Sequence, residues 1–72
     1  MILSKREQDL LKAFLQVGKL SLKEMTEILQ VSTRTVYRTL SDLTPYLDRH
    51  GVKLIKEGRK YYLEGDLAQL NA

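Results

Sequence analysis

The stretch VSTRTVYRTLSDL, residues 31–43, sets Arg34 and Arg38 one helical turn apart among short hydroxyl side chains. Each guanidinium presents a planar fork of donors that fits two phosphate oxygens, or the O6 and N7 acceptors of a guanine edge. Ser32, Thr33, Thr35 and Ser41 supply small hydroxyls beside them, and Tyr37 adds a phenol that can stack or hydrogen-bond. Further along, Lys56, Arg59 and Lys60 gather around Gly58. These residue types suit an anionic, hydrogen-bonding partner. For Arg34 and Arg38 the plain alternative is a solvated helix face, with Arg38 paired to Asp42 at i+4. For the later cluster it is charge that keeps an exposed hairpin soluble.

The charge map fits an anionic partner and fits a lysine-rich solvated surface equally well. Net charge is +3 over 72 residues, but residues 1–31 hold five Lys/Arg against four Asp/Glu, residues 32–63 hold seven against three, and the tail adds only Glu64 and Asp66. The middle section is therefore the basic one, the asymmetry expected of a surface that meets phosphate. No enzyme is expected. The chain offers no nucleophile with a matching base, no glycine-rich phosphate loop and no carboxylates placed to converge in a pocket. Cysteine is absent, which rules out disulfides and thiolate metal sites, and His50 alone makes a poor metal site; it reads as the cap of a helix end. No cofactor is expected. No apolar run approaches the roughly 18 residues of a membrane span, and MILSKRE lacks the apolar stretch of a secretory signal. The chain reads as cytoplasmic, with no membrane partner.

The elements that must position these residues follow from capping and periodicity. Ser4-Lys5-Arg6-Glu7 and Ser21-Leu22-Lys23-Glu24 are capping boxes, each opening a helix. The first helix has Leu10, Leu11, Phe14 and Leu15 as its inner stripe and ends at Gly18. The second is about two turns long, with Leu22, Met25, Ile28 and Leu29 inward, and Lys19-Leu20 between them could form a brief strand. Gln30-Val31-Ser32 leaves room only for a tight turn, and Ser32 caps a third helix with Val36, Leu40, Leu43 and Leu47 as its core face. Arg34, Arg38 and Ser41 then lie opposite that face, flanked by Thr33 and Tyr37. Pro45 predicts that the helix kinks or stops near Leu43 or Thr44, where Thr44 could cap a fresh turn with Pro45 at its first position. Beyond Gly51 the period becomes 2: residues 52–56 and 60–63 read as strands joined at Glu57-Gly58-Arg59. Val52, Leu54, Tyr61 and Leu63 face inward, Lys53 and Tyr62 outward.

Three helices, a tight turn and a hairpin describe an α+β fold, a winged helix-turn-helix with a two-stranded wing. LSLKEMTEILQVSTRTVYRTLSDL followed by GVKLIKEGRKYYL resembles the winged helix-turn-helix of biotin-repressor-like and DeoR-like bacterial regulators. Within these it is most similar to the N-terminal domain of activators that carry phosphotransferase-system regulation domains, and to Mga-like regulators. The resemblance covers roughly residues 4–64. In it, residues 31–40 look like the turn and recognition helix, and residues 58–63 like the end of the wing, with Lys60 where a second glycine is usual.

The resemblance implies sequence-specific binding of double-stranded DNA by a bacterial transcription regulator, one whose remaining domains tie a sugar operon to the phosphotransferase system. The residues expected at the DNA are Ser32, Thr33, Arg34, Thr35, Tyr37, Arg38, Ser41, Lys56, Arg59 and Lys60. A recognition helix buries one face and turns the other to the major groove, and a wing tip meets the backbone. Residues 1–64 are the expected domain, and 65–72 the start of a linker or truncated helix leading to a further C-terminal region. Dimers are expected only through that region, with the isolated domain monomeric. The competing function is a winged helix used for protein contacts. It would expose apolar residues on the third helix, where this chain has basic and hydroxylic ones. RNA is a weaker third possibility.

Overall fold

Each of the three helices opens on a serine cap. In the computed structural model, which describes residues 2–70, Ser4 Oγ accepts from the Glu7 N–H at 3.2 Å while the Glu7 carboxylate accepts from the Ser4 N–H at 2.9 Å. Ser21 and Glu24 repeat the exchange at 3.1 and 2.8 Å. Ser32 Oγ accepts from the Thr35 N–H at 3.2 Å. Donors that the first turn would leave orphaned are thereby satisfied. The helices are α1 (Lys5–Val17), α2 (Leu22–Leu29) and α3 (Thr33–Arg49). Gly18 closes α1, donating to the Phe14 carbonyl at 2.9 Å. Between α2 and α3, Gln30 adopts the left-handed conformation, φ 58° and ψ 46°, and the Val31 N–H returns to the Thr26 carbonyl at 3.2 Å.

Of the kink or stop expected at Pro45, the stop does not occur: α3 continues through the proline as one helix. The proline deletes only the bond to the Ser41 carbonyl, and both Ser41 and Pro45 are exposed, where water can satisfy that acceptor. Leu43 and Leu47 on either side of the proline are buried in the core, so tertiary packing holds the turn. Thr44 starts no new helix. Its hydroxyl donates to the Leu40 carbonyl at 2.9 Å within the same one.

Three strands form one antiparallel sheet, β1 (Lys19–Ser21), β2 (Lys53–Glu57) and β3 (Lys60–Glu64), in the order β1-β3-β2. The expected two-stranded wing thus gains a third strand, because Lys19–Ser21 pairs along β3, with Leu20 opposite Tyr61 and Ser21 opposite Lys60. A lone hairpin is marginal in water, and the added strand makes β3 central. Gly58 alone carries the positive φ of the connecting turn, 63°, the type II′ pattern with glycine first. Lys60 lies already in β3, opposite Glu57, so a lysine at that position leaves the turn intact.

The core lies between the helices and one sheet face. It joins Leu10, Leu11 and Phe14 of α1 and Met25 of α2 to Val36, Leu40, Leu43 and Leu47 of α3, with Leu20, Val52, Tyr61 and Leu63 from the sheet side. Two expected members lie outside it: Leu15 is 39% exposed and Ile28 is 47% exposed. Leu15 falls beyond Leu11 at the rim of the α1 arc, and Ile28 beyond Met25 on α2; a domain this thin has no further layer to cover them. Ala13 is buried instead. Leu67–Leu70 form a 3₁₀ turn whose Leu70 is fully buried in the core. Residues 65–70 therefore pack on the domain, while residues 71 and 72 of the expected linker lie outside the described residues. At Gly65 a Cβ would stand 2.7 Å from the Gly51 carbonyl oxygen, so only glycine lets the chain leave β3 there.

Replacing Leu70→Ala is expected to lower unfolding free energy by about 2–4 kcal/mol, the cost of a cavity in a packed core, read from urea unfolding by circular dichroism. In the same assay Pro45→Ala is expected to raise it by about 1–3 kcal/mol, since the helix there is already formed and regains its missing bond.

Candidate nucleic-acid interface

Burial of Val36, Leu40, Leu43 and Leu47 turns the opposite ridge of α3 to solvent. Thr33, Arg34, Arg38 and Ser41 are exposed along it, and Tyr37 on its flank is half-exposed. The expected Arg38–Asp42 alternative is not formed: the ion pairs among the described residues are Lys5–Asp9, Lys19–Glu57 and Lys60–Glu24. Arg34 and Arg38 therefore stand outside the ion pairs of the described residues. Ser32 and Thr35 are committed locally, since the Ser32 hydroxyl donates to Thr35 Oγ1 at 3.2 Å and the Thr35 carbonyl accepts from Thr39 Oγ1 at 2.7 Å. Their first task is to hold the start of the helix.

On the hairpin the three expected cations separate. Lys56 pairs in register with Tyr61, and Glu57 with Lys60; directly opposed residues share a sheet face and neighbours in a strand alternate. Lys56 and Tyr61 thus share one face, Lys60 and Tyr62 the other. Lys56 Nζ sits 5.8 Å from the Tyr61 ring centroid, and Arg59 occupies the exposed turn. Lys60 is bound to Glu24 at 2.9 Å.

Lys56 and Arg59 line an open cleft of about 340 Å³, together with Gly58 and Tyr61 from the hairpin and Ser21, Leu22 and Lys23 from the start of α2. Lys23 is the cation that reading along the chain missed. Its signal was faint: an exposed lysine inside a capping box looks like ordinary surface until the hairpin folds over beside it.

Two residues outside the cationic surface have structural duties. His50 caps α3, with Nδ1 3.0 Å from the Tyr46 carbonyl and its ring centroid 4.5 Å from that of Tyr46. Half-buried Tyr62 lies under the Lys19 ammonium, 5.3 Å from the ring centroid. Among the described residues no group of three or more His, Asp or Glu side chains is placed to hold a metal. No helix of the described residues is long and apolar enough to cross a membrane.

Comparison with known proteins agrees with this geometry. A family model described as an HTH domain matches residues 6–63. A protein of Streptococcus mutans serotype c (strain ATCC 700610 / UA159), named as a transcriptional regulator, MtlR, is 56% identical over 70 residues. The match takes in 97% of this chain and 11% of that protein, so the chain spans about a ninth of its relative's length. No solved structure gives a match.

Tyr61, which ties β3 to the core beneath the hairpin, gives the interface a pH limit. Burial, reinforced by the neighbouring Tyr37 phenol, pushes its phenol above the usual value of 10.0. The folded chain therefore holds this proton more tightly than the unfolded chain. Its stabilising contribution is complete below pH 10 and is lost as the pH rises from there through the raised folded value. Urea midpoints measured from pH 8 to pH 11 are expected to fall above pH 10 in the native chain, and to fall less steeply in Tyr61→Phe.

Proposed function

Because this chain belongs to the HTH domain family, we propose that it binds double-stranded DNA as the recognition domain of a transcription regulator. The observation that carries the proposal is the ridge of α3: two arginines without internal partners among the described residues, aligned opposite a fully packed core face. A helix so anchored can enter a major groove of about 12 Å without exposing its apolar side. Arg34 and Arg38 read base edges or clamp phosphates, and Thr33, Tyr37 and Ser41 line the approach. Ser32 and Thr35 meet DNA at the capped helix start. Lys56 and Arg59, joined by Lys23, face the sugar–phosphate backbone from the wing cleft. A protein-contact module would expose apolar side chains on this ridge, and Tyr37 is the one aromatic there.

The finer reading follows from the resemblance of residues 4–64. Residues 1–64 with the packed turn behind them form the DNA-binding end of a longer regulator, controlled through phosphotransferase-system domains and acting on a sugar operon. Dimerisation belongs to those other domains, and half-sites would then lie about 34 Å apart, one helical turn.

The test is duplex binding at several salt concentrations, with amide shifts mapped by NMR. Arg34→Ala and Arg38→Ala are expected to leave the unfolding transition unchanged and to weaken a cognate site by about 1–3 kcal/mol wherever they read bases. Arg59→Ala is expected to weaken all duplexes alike and to flatten the dependence of log K on log salt by about 0.9 per lost phosphate contact. Wild-type binding by both α3 mutants would remove the recognition surface from α3. Silence of residues 32–41 in the presence of duplex would turn the search to a protein partner.

A further inference from the structure

Lys60 is placed by strand register and not by chance of side-chain reach. Its Cα partner in β1 is Ser21, the residue that caps α2. The Glu24 carboxylate folds back on that cap, its Oε1 accepting from the Ser21 N–H at 2.8 Å, and the same oxygen accepts from Lys60 Nζ at 2.9 Å. The capping box therefore delivers a carboxylate onto the lysine opposite it. A second tie lies on the same sheet face: Lys19 of β1 passes over Tyr62 of β3 and reaches Glu57 of β2 at 3.1 Å. Lys56, on the other face, and Arg59, at the turn, take part in neither tie.

We propose that Lys60 is a positioning residue, latched to Glu24 so that the wing is held against the first turn of α2 while Lys56 and Arg59 are left to meet phosphate. The consequence for DNA rests on the duplex-binding reading above; the latch itself does not. Two features support it. Lys60 and Lys56 lie on opposite faces of one hairpin, and Lys60 is the one whose ammonium is already held by a carboxylate. The Glu24 carboxyl is held below the usual carboxylate range, first by the Ser21 N–H and then by Lys60.

The test takes the 72-residue chain and its Lys60→Gln variant, with Arg59→Gln as the comparison. In the free chain, the ¹³C shift of the Glu24 carboxyl is followed from pH 2 to pH 7, together with the amides of Gly58 and Arg59. With Lys60→Gln the Glu24 midpoint is expected to rise part of the way to its ordinary value, since the Ser21 N–H remains, and the hairpin amides are expected to shift. With a labelled mixed-sequence duplex, Lys60→Gln is expected to weaken binding by about two- to fivefold, the scale of one exposed ion pair. Its salt slope should stay at the native value, whereas Arg59→Gln becomes shallower by about 0.9. A Lys60→Gln slope as shallow as that of Arg59→Gln would make Lys60 a phosphate contact and overturn the proposal. An unmoved Glu24 midpoint would overturn it as well. If the native chain binds no duplex, the DNA reading fails, and the Glu24 titration and hairpin amides still decide the latch.

Discussion

Four side chains on one stripe of α3 govern the rest of this molecule. Val36, Leu40, Leu43 and Leu47 are at most 5% exposed, and burying each contributes roughly 1.5–3 kcal/mol before entropy is counted. Together they outweigh the cost of about 3 kcal/mol that a proline imposes on a helix interior, so α3 continues through Pro45 to its cap at His50. The same stripe fixes the rotation of the helix about its axis. With that rotation set, Arg34, Arg38 and Ser41 have no direction left but outward.

A core this thin depends on remote pieces of chain to close it. Leu20 enters from a three-residue strand, and Leu70 from a single 3₁₀ turn at the far end. Both are fully covered. The short strand also gives β3 a neighbour on each side, which secures the hairpin to the domain and turns a marginal ribbon into part of a sheet. The wing is consequently continuous with the core through Tyr61 and Leu63, and its tip inherits an orientation from residues well away from it.

Charge is sorted by that same topology. Along the sequence Lys56, Arg59 and Lys60 form one basic cluster, but a strand period of 2 places Lys56 and Lys60 on opposite faces. One lysine shares a cleft with Lys23 and Arg59, and the other is held by a capping carboxylate. Exposed pairs of this kind add little to stability. Their importance lies in direction: they determine which cations remain available and hold the hairpin against the first turn of α2.

Local chemistry alone determined the three serine caps, the tight turn at Gln30, the hairpin at Gly58, the core stripe of α3 and the basic ridge opposite it, because each depends on residues within a turn or two of one another. The serine-and-glutamate pairs name helix starts wherever they fall, and a stripe of leucines at helical spacing implies its own reverse side. Tertiary structure decided the rest. Pro45 was overruled by burial of its neighbours, Leu15 and Ile28 were left at the rim of a core too small to cover them, and Leu70 was drawn in. The pairing of β1 with β3 and of Glu24 with Lys60 joins residues separated by half of the chain or more, and no local pattern records which segments will meet once the hydrophobic stripes have been buried.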